Sequence, residues 1–444
     1  MIAHSERARQ WVHVLSGGFA LLLRVLTWWQ AAALAATALV FNAFVLPRIG
    51  GRRLFRPVDE ARGFPLGILL YPIAVLLLIL AFPTRFDLVA AAWGVLAFGD
   101  GAATLVGQAW GGPRWPWNPE KTVAGTAAFV VCGGAGAAAL ACWTRPAIVP
   151  QPSLTFEIAA PIAAAIVAAL VETIRVRLDD NVSVPATAAA VLWLAGLVDV
   201  RSVLASRAAI VSALPWAIGI NALVSWIGYR AGTVSVAGAI VGAIIGATIY
   251  AAGGARAWVL LVATFAAASA ASRIGWERKA LLGIAEDRGG RRGAGNAIAN
   301  CGVAAIAAVA AVVTPNVNAA LLAFVTALTA GGSDTVASEV GKAWGRSTFL
   351  VTSLGRVKPG TPGAMSLEGT AAGVVAAFGL AALAAALGQI GRTMMLAVVV
   401  GATVGALVES VLGATLESRG VVNNDVLNFI NTAVAAAVAL AIAR

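Results

Sequence analysis

The chain has 444 residues, of which 60% are hydrophobic and only 11% charged, whereas a soluble domain carries about 45–50% apolar and about 25% charged residues. Too little polar surface is available to cover a water-soluble globule, which excludes soluble enzymes. The net charge of +11 does not argue for nucleic-acid binding, because the basic residues are dispersed in short segments between apolar runs and form no continuous footprint.

In chain order, the first nine residues are polar and basic. The helix expected around His13 leads into a second apolar run with no convincing cleavage site, so it reads as a retained first span. Long apolar runs follow at residues 28–46, 64–82, 122–142, 156–171, 297–313 and 394–408. Each approaches the roughly 20 residues a helix needs to cross the hydrocarbon core. Lipid offers the backbone no partner, so spans are helices or a closed barrel. Unalternated Ala/Val/Leu runs fit helices and not the dyad pattern of barrel strands. The expected fold is an all-α, polytopic integral membrane protein with roughly 13–15 spans by length. The 48 glycines suit close approach of helix backbones. Cys132, Cys142 and Cys301 lie in apolar surroundings without metal or disulfide spacing.

Basic residues sit between the runs: Arg48, Arg52, Arg53, Arg56 and Arg62; Arg114 and Lys121; Arg273, Arg278, Lys279, Arg288, Arg291 and Arg292; Lys342, Arg346, Arg356 and Lys358. Short basic loops mark the cytoplasmic face and attract anionic headgroups and phosphates.

An internal repeat stands out. Residues 100–111 read DGAATLVGQAWG and residues 334–345 read DTVASEVGKAWG, with seven of twelve positions identical. Each is followed by a basic loop and then by Gly-Thr opening a new span, Lys121 preceding Gly125-Thr126 and Lys358 preceding Gly369-Thr370. Each half then has Val-Glu near a span end, at Glu172 and Glu409, and an Asn/Asp cluster, Asp179-Asp180-Asn181 or Asn423-Asn424-Asp425 with Asn428. Shared Ala and Gly arise by chance in such helices, but Asp, Trp, Lys and Glu recurring in the same order point to two related domains. They are expected at 1–205 and 206–444, with the junction at the polar stretch 201–206.

Ionisable residues in or beside spans are expensive and so suggest function. Asp100, Glu172, Asp334, Glu339 and Glu409 are the outstanding cases. Carboxylates, Lys/Arg loops and glycines at a membrane face suit phosphoryl transfer, in which catalysis is positioning plus charge neutralisation. Mg²⁺ takes oxygen ligands, usually one or two carboxylates plus substrate phosphates. Asp100, Glu172 and Asp179 or Asp180 can supply these in the first half, and Asp334, Glu339, Glu409 and Asp425 in the second. The principal metal-associated acids are expected to be Asp100, Asp180, Asp334 and Glu409. Lys121, Lys342, Arg356 and Lys358 are expected to hold phosphate oxygens. The loop GRVKPGTPG at 355–363 lets backbone N–H groups approach phosphates. No Walker A motif is present, and two histidines, His4 and His13, make a zinc site improbable.

These residues carry a resemblance. The first half resembles the CTP-dependent polyprenol and phytol kinases, relatives of dolichol kinase and of the phosphatidate cytidylyltransferases. The segments are RARQWVHVLSGG at 7–18, GILLYPIAV at 67–75, FGDGAATLVGQAWG at 98–111, PEKTVAGT at 119–126 and VETIRVRLDDNVSVP at 171–185. The second half is similar to the membrane family that includes the phytyl-phosphate kinase of tocopherol salvage. There the segments are GRRGAGNAIANCG at 290–302, SDTVASEVGKAWG at 333–345, RVKPGTPGAMSLEGT at 356–370, ESVLGATLES at 409–418 and NNDVLNFINT at 423–432. One departure is Glu409, where Asp is expected before Ser410. The resemblance implies two consecutive phosphorylations, of an isoprenoid alcohol (phytol, farnesol or geranylgeraniol class) with CTP and Mg²⁺, then of the monophosphate. It implies nucleotide-binding roles for Arg9, His13, Asn181, Asn296, Asn300, Gly360, Thr361, Asn424 and Asn428. Alternatives are a lipid-phosphate cytidylyltransferase, which shares CTP recognition, and a two-repeat transporter.

Overall fold

The computed structural model describes residues 6–49, 66–174, 179–284 and 291–444, and side chains from residue 10 onward in the first of these stretches. Arg52, Arg53, Arg56, Arg62, Arg288 and His4 lie outside the described residues, as does the side chain of Arg9. The chain divides into two compact units, Met1–Gly196 and Leu197–Arg444.

The first unit contains α1 (Glu6–Ser16), which continues as a 3₁₀ turn over Gly17–Arg24, then α2 (Trp28–Val45), α3 (Leu66–Ala81) and α4 (Phe86–Trp110). A hairpin of β1 (Arg114–Trp115) and β2 (Asn118–Thr122) leads to α5 (Val123–Ala147), α6 (Leu154–Thr173) and α7 (Asp180–Gly196). The second unit contains α8 (Val200–Arg230), α9 (Val236–Arg273), the short α10 (Trp276–Leu281), α11 (Ala294–Val313) and α12 (Val317–Trp344). A hairpin of β3 (Thr348–Leu350) and β4 (Ala364–Ser366) then leads to α13 (Leu367–Ala386), α14 (Arg392–Glu417) and α15 (Asn424–Ile442). From α4 and α12 onward, the two units run through the same order of elements.

Among the described residues, eleven helices are long and apolar enough to cross a membrane. The chain is an all-α, polytopic integral membrane protein. The expected 13–15 spans compare with these eleven, to which the shorter apolar α3 and the break within α9 add further candidates. The α3 and α7 helices have only 16 and 17 residues. The 38-residue α9 is two helical arms joined at Gly254, whose φ of +68° and ψ of −170° are not helical. The expected junction at 201–206 falls inside α8, which starts at Val200 because the Asp199 side chain caps it, accepting the Ser202 N–H at 2.8 Å.

The interiors are built largely of alanine. In the first unit Ala91, Ala97, Ala137, Ala164 and Ala168 are fully enclosed, and in the second Ala304, Ala327, Ala381 and Ala439. Side chains this small let helices approach closely in lipid, where packing replaces the hydrophobic driving force. The most enclosed spans are α4 and α12, 67% and 72% buried, against at most 39% for the other nine. These two central helices carry Asp100 and Asp334. A different acid on α4, Asp87, lies about 20 Å from Asp100 at 1.5 Å rise per residue. Arg85 neutralises it with Nε at 2.9 Å and Nη2 at 2.6 Å, so its burial has a structural cause.

Candidate active sites

In the first unit, α4 departs from α-helical winding at a π turn over Val95–Asp100, a feature frequent at functional sites. The turn ends on Asp100. Glu172 comes from the end of α6 and Asp180 from the start of α7. Asp100, Glu172 and Asp180 each offer a carboxylate oxygen, and these oxygens lie within 4.8 Å of one another. Lys121, at the end of β2, donates to Glu172 and to Asp180, the latter at 3.2 Å. Burial pulls the Lys121 pKa down, but Glu172 and then Asp180 push it further up, so it is held above the usual lysine range. His13 on α1 stands 3.6 Å from Asp100, with the same nitrogen 3.1 Å from the Leu96 carbonyl. The acids therefore converge from three helices, Asp100 from one far upstream of the consecutive pair that carries Glu172 and Asp180. The Asp179 side chain turns to its own helix instead. It accepts the Asn181 backbone N–H at 3.0 Å and the Asn181 Nδ2–H at 2.7 Å, so Asp179 and Asn181 shape the start of α7 and leave Asp180 facing Lys121.

In the second unit, Asp334 on α12 and Glu409 on α14 line one cavity of about 320 Å³. Lys342, Asn296, Asn424, Asn428, Gly360 and Thr361 also line it. The loop bearing Gly360 (φ +84°) and Gly363 (φ +73°) needs glycine at both positions. A Cβ on Gly363 would stand 2.3 Å from the Ser410 carbonyl and the Ala414 nitrogen. This close packing holds the loop against α14, beside Glu409.

Several expected residues are placed elsewhere. Arg356 and Lys358 are exposed and do not line the cavity. The backbone between them and the cavity turns through the Gly360 loop and points their side chains to solvent. Asp425 faces α11 at Gly295, where an added Cβ would meet its Oδ2 at 2.2 Å. Asn300 donates to the Asn296 carbonyl of its own helix at 3.0 Å. Glu339 is 1% exposed and does not line the cavity. It accepts Lys342 Nζ at 2.8 Å and Lys279 Nζ at 2.5 Å. Lys279 is itself fully buried and donates also to the Ser272 carbonyl at 2.8 Å.

The two units repeat the same contacts around their hairpins. Thr122 caps α5 and Ser366 caps α13, each accepting the N–H of the glycine three residues on, Gly125 or Gly369. A Cβ on Gly125 would meet the Ala103 carbonyl at 2.8 Å, and one on Gly369 the Ala337 carbonyl at 2.5 Å. Ala103 and Ala337 occupy the same position of the repeated twelve-residue segment. Lys121, one residue before its cap, therefore corresponds to Met365, not to Lys358. Gln108 corresponds to Lys342. The cation stands on the hairpin in the first unit and on the central helix in the second.

The remaining positions change accordingly. Glu172 pairs with Lys121, whereas Glu409 accepts the neutral Asn431 Nδ2–H at 2.7 Å. Asp180 is the first residue of α7, and Asn424 is the first residue of α15. Sequence reading passed over Asn431 and Met365, and it treated Lys279 as one of a basic loop. The signal for Asn431 was a polar pair with Asn428, three residues apart on one face of an apolar helix. Nothing in the sequence marked Lys279 as the partner of a residue 60 positions away.

Three relatives share part of the chain. An uncharacterized membrane protein of Synechocystis sp., sll0875, is 41% identical over 44% of this chain and 76% of its own. Protein VTE6, chloroplastic, of Arabidopsis thaliana is 36% identical over 42% of this chain and 58% of its own length. An uncharacterized membrane protein of Methanocaldococcus jannaschii, MJ0933, is 32% identical over 40% of this chain and 71% of its own. No solved structure matches the chain significantly. The profile of the family described as integral membrane protein DUF92 matches residues 219–436, which hold Asp334, Lys342 and Glu409, and the chain belongs to that family of integral membrane proteins.

Proposed function

We propose that the chain is a membrane phosphotransferase that phosphorylates an isoprenoid alcohol in its first unit and the resulting monophosphate in its second. The observation that carries this reading is the convergence of Asp100, Glu172 and Asp180 around Lys121. Three carboxylates within one ion's reach, with a cation beside them, suit a metal–triphosphate. Asp100, Glu172 and Asp180, whose oxygens lie within 4.8 Å of one another, would hold the Mg²⁺ ion, which takes oxygen ligands. The ion would supply charge neutralisation at the transferring phosphate.

The chain's own groups then divide the work. Lys121 holds phosphate oxygens and keeps the acids in register. Asp180 has a side chain 42% exposed, against 12% for Asp100 and 5% for Glu172, and so is the carboxylate open to an incoming hydroxyl. As the alcohol oxygen bonds to the γ-phosphorus, Asp180 accepts its proton, and the bond to the β-phosphate oxygen breaks to release the nucleoside diphosphate. A phosphate monoester carries about −1.5 to −2 charge at neutral pH and needs no proton acceptor. Asn424 in place of Asp180 accords with a second acceptor that is already anionic. The related architecture of the two units supports a duplication, and a greasy intermediate passing from one to the other need not leave the bilayer. The basic loops favour sites at the cytoplasmic face. The resemblance of both halves to lipid kinases supports CTP as donor.

The purified chain in nanodiscs, given phytol, farnesol or geranylgeraniol with Mg²⁺, is expected to transfer label from γ-³²P-CTP to lipid and none from α-³²P-CTP. Transfer from the α position would make it a cytidylyltransferase. Transfer from neither, with any nucleoside triphosphate, would end the phosphotransferase reading.

A further inference from the structure

The cavity that holds Asp334 and Glu409 is not polar throughout. Part of its wall is Gly373, Val374 and Ala377 of α13 and Ala402, Ala406 and Leu407 of α14. On α13 the lining runs from Gly369 to Ala377, and on α14 from Ser410 back to Ala402. Eight residues at 1.5 Å each make this about 12 Å on either helix, so the cavity reaches from the acids into the membrane-spanning part of the unit. Two threonines on this wall spend their hydroxyl protons inside their own helices. Thr403 donates to the Val399 carbonyl at 2.8 Å and Thr370 to the Ser366 carbonyl at 2.9 Å, so neither has a proton left for a polar ligand.

The deep end of this slot is closed, since Ala377 and Ala402 are each 2% exposed. Its side is open. Val374 and Leu407, one on each helix, line the cavity and are each 39% exposed. The short connection 387–391 ties α13 to α14 at their other ends, and the cavity takes up the space between them nearer Glu409. An apolar slot that continues from a charged end and opens sideways between two spans fits an amphiphile with an anionic head. Lipid is as apolar as the slot, so the chain gains little from burial and must gain from packing. Glycine and alanine make the slot wide. A methyl-branched chain fills such a width, whereas a straight alkyl chain leaves gaps that forfeit dispersion contacts. The geometry points to this slot as the seat of the phosphate-proximal isoprene units of the acceptor, with the rest of the chain passing between Val374 and Leu407 into the bilayer. The site then selects for branching near the phosphate and not for total chain length. Calling the occupant an acceptor rests on the phosphotransferase reading, but its binding is measured without nucleotide and so fails or succeeds separately.

The test is titration of the full-length protein in nanodiscs with farnesyl monophosphate, dodecyl phosphate, dimethylallyl monophosphate and magnesium pyrophosphate, with empty nanodiscs subtracted. A Lys121→Met background confines the reading to the second unit. Dodecyl phosphate has the main-chain length of the farnesyl compound without its methyl branches, and is expected to bind about tenfold more weakly. Val374→Trp and Leu407→Trp narrow the side opening. Each is expected to weaken farnesyl monophosphate about tenfold, as overpacking of a fitted chain. Dimethylallyl monophosphate, which ends inside the slot, and magnesium pyrophosphate should bind as before. If one of these variants is unstable, the other, on a separate helix, gives the same reading. Unchanged farnesyl monophosphate affinity in both, or an equal loss for dimethylallyl monophosphate, overturns the path between α13 and α14. Equal binding of dodecyl phosphate and farnesyl monophosphate overturns the isoprenoid assignment and makes the slot a seat for ordinary alkyl lipid. Binding as expected, with no transfer from any nucleotide, would keep the slot and remove the phosphotransferase.

Discussion

The different placement of the cation in the two units gives a test by transplantation. Lys342 is held at 2.8 Å by Glu339, which Lys279 anchors at 2.5 Å. Lys342→Gln removes one charge-assisted contact to a bound phosphate, a bond worth about 1.5–3 kcal/mol. The Lys342 side chain is 27% exposed, and solvent screening places the loss at the lower end, about 1.5 kcal/mol. At 1.4 kcal/mol per decade this is about tenfold in affinity. Adding Met365→Lys restores a cation where the first unit carries Lys121, and the double variant should recover most of that loss. The assay is calorimetric titration with magnesium pyrophosphate in a Lys121→Met background, which leaves the second cavity as the measured site. A Lys342→Gln variant that binds as its parent does would refute the reasoning, and so would a double variant no better than the single one.

Further outcomes follow from other contacts. Glu339→Gln leaves Lys279 buried without its counter-charge, and should destabilise the second unit by about 3–5 kcal/mol. Lys279→Leu/Glu339→Met should unfold near the wild-type temperature yet bind pyrophosphate more weakly; thermal unfolding in nanodiscs followed by titration checks both, and a wild-type affinity would separate Lys342 from its anchor. Gly369→Ala places a Cβ 2.5 Å from the Ala337 carbonyl and should cost about 1–3 kcal/mol as overpacking, seen as a lowered unfolding midpoint. Chelation with EDTA should abolish both transfers, and added Mg²⁺ should restore them; full turnover in EDTA would remove the ion from the account.

Much of this organisation was legible in the sequence because lipid makes polar residues conspicuous. Asp100 and Asp334 stood out against apolar spans, and the segment around them recurs with its glycines because those glycines allow the helix contact at Gly125 and Gly369. Glu172 and Glu409 were visible for the same reason. The cations were harder. Lys358 matched Lys121 by residue type and by a neighbouring proline, but the correspondence is set by the helix caps Thr122 and Ser366, and only the folded hairpin shows it. Glu339 looked catalytic because it is an acid in a span. Its neutralisation by Lys279 depends on α10 returning to α12, a tertiary contact with no local signature. Hydropathy bounded the number of spans, but where a long apolar run breaks, as α9 does at Gly254, shows only in the fold.

The account depends on two separate sites acting in sequence, and product analysis of two single variants measures this most directly. With γ-³²P-CTP and farnesol, the wild-type protein should give labelled farnesyl diphosphate. Asp334→Asn should stop at the monophosphate, and Asp100→Asn should make no product from farnesol while still converting farnesyl monophosphate. Diphosphate formed from farnesol by either variant would contradict it.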